Sequence, residues 1–195
     1  MKTAILGGSF DPPHNGHIDV AKTVLNELGL DEVLFVPASA NPLKPSRTHP
    51  KTRLKMVELA VSGEEGLSVC DIEVTRGGPS YTYETLSELR LARPANYWLV
   101  LGSDALKSFD RWSHPEKVMA MSRLAVVPRD GDDIPSIIRA MTSLPDLRHV
   151  VDVVPMEPVK ISSTLVRNHI RQGFDVQSWI KPAVWEYIKD IGLYR

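Results

Sequence analysis

Residues 2–17 read KTAILGGSFDPPHNGH. The apolar run Ala4-Ile5-Leu6 breaks into Gly7-Gly8-Ser9, passes through Phe10-Asp11-Pro12-Pro13, and reaches His14 and His17 on either side of Asn15-Gly16. Strand, phosphate-sized turn and helix start follow one another in that order. Glycine has no Cβ, so Gly7 and Gly8 can take backbone angles closed to other residues and let amides approach an anion closely. From Gly16 onward, Ile18, Ala21, Val24, Leu25 and Leu28 recur at helical spacing. His14 and His17 are therefore expected at a helix N-terminus, where unpaired amides and the positive end of the dipole favour phosphate. Histidines at i and i+3 would also make half of a metal site. The only cysteine is Cys70, however, and no other close-spaced His, Asp or Glu group supplies the missing ligands.

Composition bounds the alternatives. With 195 residues and a formal net charge of -1, the chain reads as one α/β domain over 1–195, with enough length for a substantial core. Near neutrality argues against a nucleic-acid surface. There is no run of eighteen apolar residues, and the apolar segment after Met1-Lys2 is too short for a signal peptide. A single cysteine forbids an internal disulfide, which fits a reducing compartment. The expectation is a cytoplasmic protein with neither membrane nor nucleic-acid partner. The dinucleotide fingerprint and the Walker A lysine motif are both absent, and no repeat or linker divides the chain.

Further along, Glu32–Pro37 is a continuous apolar run closed by proline, as expected of a parallel strand buried on both faces. Residues 38–46 then read as a surface loop rich in proline and small residues. A helix is expected from Thr52 to Val61, with Leu54, Val57 and Leu59-Ala60-Val61 inward and Arg53 a solvated charge. Leu67–Ile72 alternates like a strand, Arg76–Pro79 is a turn, and Ser80–Leu86 opens another helix, which Ser80 could cap. Tyr97–Leu101 is the clearest strand; behind it, Gly102 admits close approach to Asp104, which could cap the next helix or meet a ribose hydroxyl or a magnesium-bound water. Arg123–Arg129 reads as a strand and 130–133 as a loop. A helical pattern over Ile134–Leu144 is interrupted at Pro135, and His149–Pro155 is a sixth strand. Ile161-Ser162-Ser163-Thr164 then opens a helix with Arg167 about one turn on, suited either to capping or to phosphate. Pro182–Ile191 is the last helix, started by proline and stopped before Gly192.

The stretch GGSFDPPHNGH resembles the (H/T)xGH signature of a nucleotidyltransferase superfamily, and is similar in particular to that of bacterial nicotinate-nucleotide adenylyltransferases. ISSTLVR at 161–167 resembles the second motif of that superfamily, and the closing Gly192-Leu193-Tyr194-Arg195 is also similar, so the resemblance spans the chain. It implies a Rossmann-like doubly wound parallel sheet, and transfer of AMP from ATP to nicotinate mononucleotide with release of pyrophosphate, in NAD biosynthesis. It also implies His14 and His17 as the catalytic pair. The ATP site would be formed by Gly7, Gly8, Ser9, Phe10, His14, His17, Gly102, Asp104, Ile161, Ser162, Ser163 and Arg167. Lys44, Tyr81, Thr82 and Trp112 would receive the mononucleotide, with Trp112 stacked on its ring. Ala38 stands where many relatives carry asparagine, and Ser113 where they often carry an aromatic. Mg2+ would arrive on the ATP phosphates rather than on protein ligands. Two other readings stay open at this point: a pantetheine-phosphate adenylyltransferase or another HxGH nucleotidyltransferase, and a nucleotide-binding sensor without turnover. Assembly as a homo-oligomer is left open too.

Overall fold

The strand nearest the N-terminus is the centre of the sheet, and its two neighbours come from well-separated parts of the chain. In the computed structural model, which describes residues 1–42, 46, 48–128, 132–140, 144, 146–157 and 159–195, six strands form one sheet in the order β3-β2-β1-β4-β5-β6. They are β1 Lys2–Gly8, β2 Glu32–Pro37, β3 Leu67–Val69, β4 Asn96–Gly102, β5 Ser122–Val127 and β6 Val151–Val153. Every pairing is parallel, so each connection must cross over, and helices fill the crossovers and follow the last strand. These are α1 Asn15–Glu27, α2 Pro50–Val61, α3 Ile72–Arg76, α4 Thr82–Ala92, α5 Ser103–Leu106, α6 Pro115–Met121, α7 Ile134–Ala140, α8 Leu147–Val150, α9 Ser163–Arg171 and α10 Pro182–Asp190, with a 3-10 turn at Phe109–Arg111. This is the doubly wound Rossmann-like arrangement expected from the sequence.

Strand alternation divides the core between the two faces of the sheet. Ala4, Leu6, Val33 and Phe35 point to one side, where they meet Ile18, Ala21 and Val24 of α1, Met56 and Val57 of α2, and Val184 and Ile188 of α10. Ile5, Leu34, Val36, Leu99 and Leu101 point to the other, against Leu86 and Leu89 of α4 and Phe109. That is why the strands read as unbroken apolar runs: both faces are covered.

Several boundaries differ from those expected. The strand foreseen over Leu67–Ile72 ends at Val69, its last partner on β2 being Phe35. Asp71 instead starts α3, its carboxylate accepting from Thr75 Oγ1 at 2.9 Å and its carbonyl from Thr75 N at 2.8 Å. Helix α2 begins earlier, at Pro50, because proline suits a first helical position and His49 Nδ1 accepts from Lys51 N. Pro135 does not interrupt α7 but sits in its first turn, where a missing N–H removes no helical bond. His149 and Val150 belong to α8, leaving β6 only three residues. Strand β5 stops at Val127, and Arg129, expected at its end, lies outside the described residues.

Phe35 is fully buried at the centre of the first face and touches Phe10 at a ring distance of 5.6 Å. Phe35→Ala should cost about 3–5 kcal/mol, the range for deleting a buried aromatic side chain. Urea unfolding checks this, and a loss under about 1 kcal/mol would mean the site collapses around the void.

Candidate active site

At the carboxyl ends of β1 and β4 the strand order reverses, and there a cleft of about 580 Å³ opens. Ligands of open α/β sheets bind at such switch points. Gly7, Gly8, Ser9 and Phe10 line the cleft from the end of β1, His14 and His17 from the start of α1, and Gly102 and Asp104 from the end of β4. Ile161, Ser162, Ser163 and Arg167 close it from the start of α9, and Trp112 reaches it from beyond the 3-10 turn. All twelve residues expected to bind ATP thus share one cavity with Trp112.

Neither glycine supplies left-handed backbone, since both lie within β1 and neither has positive φ. A Cβ on Gly8 would stand 3.1 Å from the Phe10 ring, while the corresponding position on Gly7 meets open space. The left-handed residue is Phe10 itself, at φ 47°, a conformation that a bulky side chain holds only under tertiary constraint. Its buried ring meets the edge of the His17 ring at 5.0 Å and so supports it from beneath.

His14 is the N-cap of α1, and its backbone N–H donates to His17 Nδ1 at 3.1 Å. The two imidazoles stack at 3.7 Å. A lone pair on His17 Nδ1 must face that amide, so the proton of the neutral ring sits on Nε2, the atom left to act as a donor. Gly16 lies between the histidines in sequence, and a Cβ there would come within 2.2 Å of Val159 Cγ1. The glycine of the motif therefore lets the segment before α9 lie directly on α1.

Helix α9 is fastened to the turn as well as facing the cleft. Ser162 caps it, accepting from Leu165 N at 3.2 Å; Ser163 Oγ donates to Pro12 O at 2.8 Å, and Arg167 Nη1 donates to Asp11 O at 2.6 Å. Arg167 Nη2 donates to Thr164 Oγ1. Part of the Arg167 fork thus braces the turn, while the side chain lines the cavity.

The expected mononucleotide residues are not gathered in the same way. Tyr81 is the N-cap residue of α4 and Thr82 its first helical residue; neither lines the cleft, and Lys44 lies outside the described residues. Ser80 does not cap the helix as foreseen. Its hydroxyl accepts from Ser39 N at 2.9 Å, and its own N–H donates to Ala40 O at 2.8 Å, so the start of α4 is tied to the loop leaving β2. Asp104 likewise is no cap, since Gly102 holds that position of α5. Trp112 packs on Phe109 at 5.3 Å, and its buried indole N–H has no hydrogen-bond partner among the described residues. That donor is one a ligand oxygen could satisfy.

Residues 5–169 match the cytidylyltransferase-like family. Along its whole length the chain is 38% identical to a protein of Dehalococcoides mccartyi named "Probable nicotinate-nucleotide adenylyltransferase", covering 98% of it. It is also 38% identical to one of the same name from Rhodopirellula baltica, with 98% of this chain and 92% of that one aligned. The chain belongs to the nicotinate-nucleotide adenylyltransferase family. Among solved structures, its fold matches Plasmodium falciparum nicotinic acid mononucleotide adenylyltransferase complexed with NaAD, with a TM-score of 0.81 at 21% identity over 99% of this chain and 97% of that one. The same enzyme complexed with APC gives 0.79 over 99% and 96%.

Around the family motif stand three residues that the sequence does not mark as part of the site. Arg53, expected in solvent, is 1% exposed. It donates through Nε to Thr48 O at 3.1 Å, through Nη1 to Ser9 O at 2.7 Å and through Nη2 to Ser39 O at 2.9 Å. Burial lowers its pKa from the ordinary value and nearby Asp11 opposes that shift. Buried Asp11 accepts from Tyr194 Oη at 2.6 Å. Burial first, and this bond second, push the Tyr194 phenol far above its usual pKa. The signal for Arg53 was its spacing: with Met56, Val57 and Ala60 it falls at i, i+3, i+4 and i+7 of α2, the face that is buried.

Gly16→Ala should lower the melting temperature, because forcing a methyl onto Val159 costs about 1–3 kcal/mol against a gain of about 1 kcal/mol or less from helix propensity. Pairing it with Val159→Ala should restore most of the loss in thermal melts. A single Gly16→Ala variant more stable than the parent would show the contact to be soft.

Proposed function

We propose that the chain transfers the adenylyl group of ATP to nicotinate mononucleotide, giving nicotinic acid adenine dinucleotide and pyrophosphate in NAD biosynthesis, with the reaction running in the cytoplasm. Membership of the family supports this reading. The observation that carries it is the convergence, in one cleft, of the His14–His17 pair and the α9 N-terminus, joined by Ser163 to Pro12 O and Arg167 to Asp11 O.

In the reaction, the acceptor's 5′-phosphate oxygen bonds to the α-phosphorus while the bond to the oxygen bridging the α- and β-phosphates breaks in line. Such a transfer needs positioning and charge neutralisation more than a protein nucleophile. His17 would donate from Nε2 to an α-phosphate oxygen, held in that tautomer by the His14 amide. His14 would add a second donor, and the exposed backbone at Gly7 leaves room for the phosphates to approach. The α9 amides, Ser162, Ser163 and Arg167 would hold the β- and γ-phosphates, and Asp104 the ribose. For the acceptor we assign Tyr81, Thr82, Trp112 and, beyond the described residues, Lys44. A divalent ion, which we take to be Mg2+, would enter with ATP and offset phosphate charge. No helix among the described residues is long and apolar enough to cross a membrane.

His17→Ala should depress kcat by roughly 10²-fold or more, the scale of a single electrostatic catalytic group. Folding, followed by circular dichroism, should survive. A folded variant turning over near the parent rate would remove His17 from the chemistry.

Pyrophosphate release across a panel of acceptors tests the substrate. A pocket of outward-pointing amides should prefer nicotinate over nicotinamide mononucleotide, because the amide's NH₂ would face donors with no acceptor. Each unpaired donor costs about 1–3 kcal/mol, so one or two predict discrimination of about ten- to several-thousand-fold in kcat/KM. Equal kcat/KM for the two would contradict the assignment of Tyr81 and Thr82.

A further inference from the structure

The parallel ladder between β1 and β2 runs as far as Gly8 opposite Pro37, with Ala38 N donating to Gly8 O at 2.9 Å. Immediately past that point the two strands part, Ser9 turning toward the histidine motif and Ser39 into the loop that leads to α2. The carbonyls of these same two residues, Ser9 and Ser39, are the ones taken by Arg53 Nη1 and Nη2. Its third direction, Nε, is held by Thr48 O next to the start of α2, so the fork cannot rotate. A planar guanidinium with all three nitrogens engaged sets a fixed separation between two backbone segments, which a lysine ammonium on a single flexible stem does not.

In the assignment proposed above, the two segments belong to the two halves of the site. Ser9 directly follows Gly7-Gly8 at the triphosphate side. Ser39 and Ala40 carry the start of α4 through Ser39 N to Ser80 Oγ, Ser80 N to Ala40 O, and the bridge between Ala40 and Pro79. We propose that Arg53 is a positioning residue that clamps the triphosphate turn to the acceptor loop and so sets the distance over which the acceptor phosphate attacks the α-phosphorus. This rests on the reading of the reaction given above. Arg53 touches neither substrate in that scheme; it acts through the Ser9 and Ser39 carbonyls.

The test is steady-state kinetics of Arg53→Lys, with Arg53→Gln as a second variant, each assayed for pyrophosphate release at a temperature where circular dichroism shows it folded. Loosening the clamp should lower kcat by about ten- to a hundredfold while leaving KM for ATP and for nicotinate mononucleotide within about threefold, since each half still binds its own ligand but the reacting atoms are misplaced. A role in stability alone would lower the melting temperature and leave kcat of the folded protein intact. The proposal is overturned if folded Arg53→Lys keeps kcat within about twofold, if only one substrate's KM rises with kcat retained, or if neither variant folds at any temperature. Silence of the parent protein with nicotinate mononucleotide in the same assay would instead sink the assigned reaction.

Discussion

The cleft depends on a turn that makes almost none of its own structure. Between the last residue of β1 and the first of α1, the carbonyls of Ser9, Asp11 and Pro12 accept from Arg53, Arg167 and Ser163, which come from α2 and α9, and the Asp11 carboxylate accepts from Tyr194 near the C-terminus. Unpaired buried carbonyls are costly, and charged donors make the stronger bonds. Those side chains together hold Phe10 in a left-handed conformation that an isolated peptide would leave. The ring of Phe10, so held, is what the His17 imidazole leans on.

Sheet topology explains why such distant residues can meet there. Because β1 is central and parallel to both β2 and β4, its carboxyl end is flanked by the loops leaving both neighbours, and the crevice opens between connections that wind to opposite faces. Helix α9, arriving after β6, supplies a second N-terminus to the same place, and Gly16 lets its leading segment come within contact of α1. Two sets of helix-start amides with serine, histidine and arginine side chains around them make a local field suited to polyanions in a chain of net charge -1.

The charged groups of the turn matter chiefly for specificity of shape. Burying a guanidinium is unfavourable unless it is well hydrogen-bonded, and Arg53 has a carbonyl on each of its three nitrogens with Asp11 close by. Tyr194 adds a neutral donor to Asp11 and carries no compensating charge of its own at ordinary pH. A hydrophobic replacement could pack the same space, but it could not dictate how far Ser9 stands from Ser39.

Much was legible in the chain alone. Apolar runs such as Glu32–Pro37 and Tyr97–Leu101 announced strands covered on both faces, because burial on two sides removes the polar alternation that solvent imposes. The motifs at 7–17 and 161–167 announced the cleft residues, because helix-start geometry and phosphate chemistry are local in sequence. What sequence could not decide was anything set by partners far away in the chain. Arg53 looked like a surface charge because its compensating groups, Ser9 O and Ser39 O, are backbone atoms that no residue type advertises. Ser80 looked like a cap until Ser39 claimed its hydroxyl. Gly7 and Gly8 looked like residues of unusual backbone, yet it is space that Gly8 supplies, beside a ring two positions on. Residue type and periodicity determine which groups must be buried or left at a helix end; only the tertiary structure, by bringing remote carbonyls and side chains within hydrogen-bonding distance, determines which of them satisfies which.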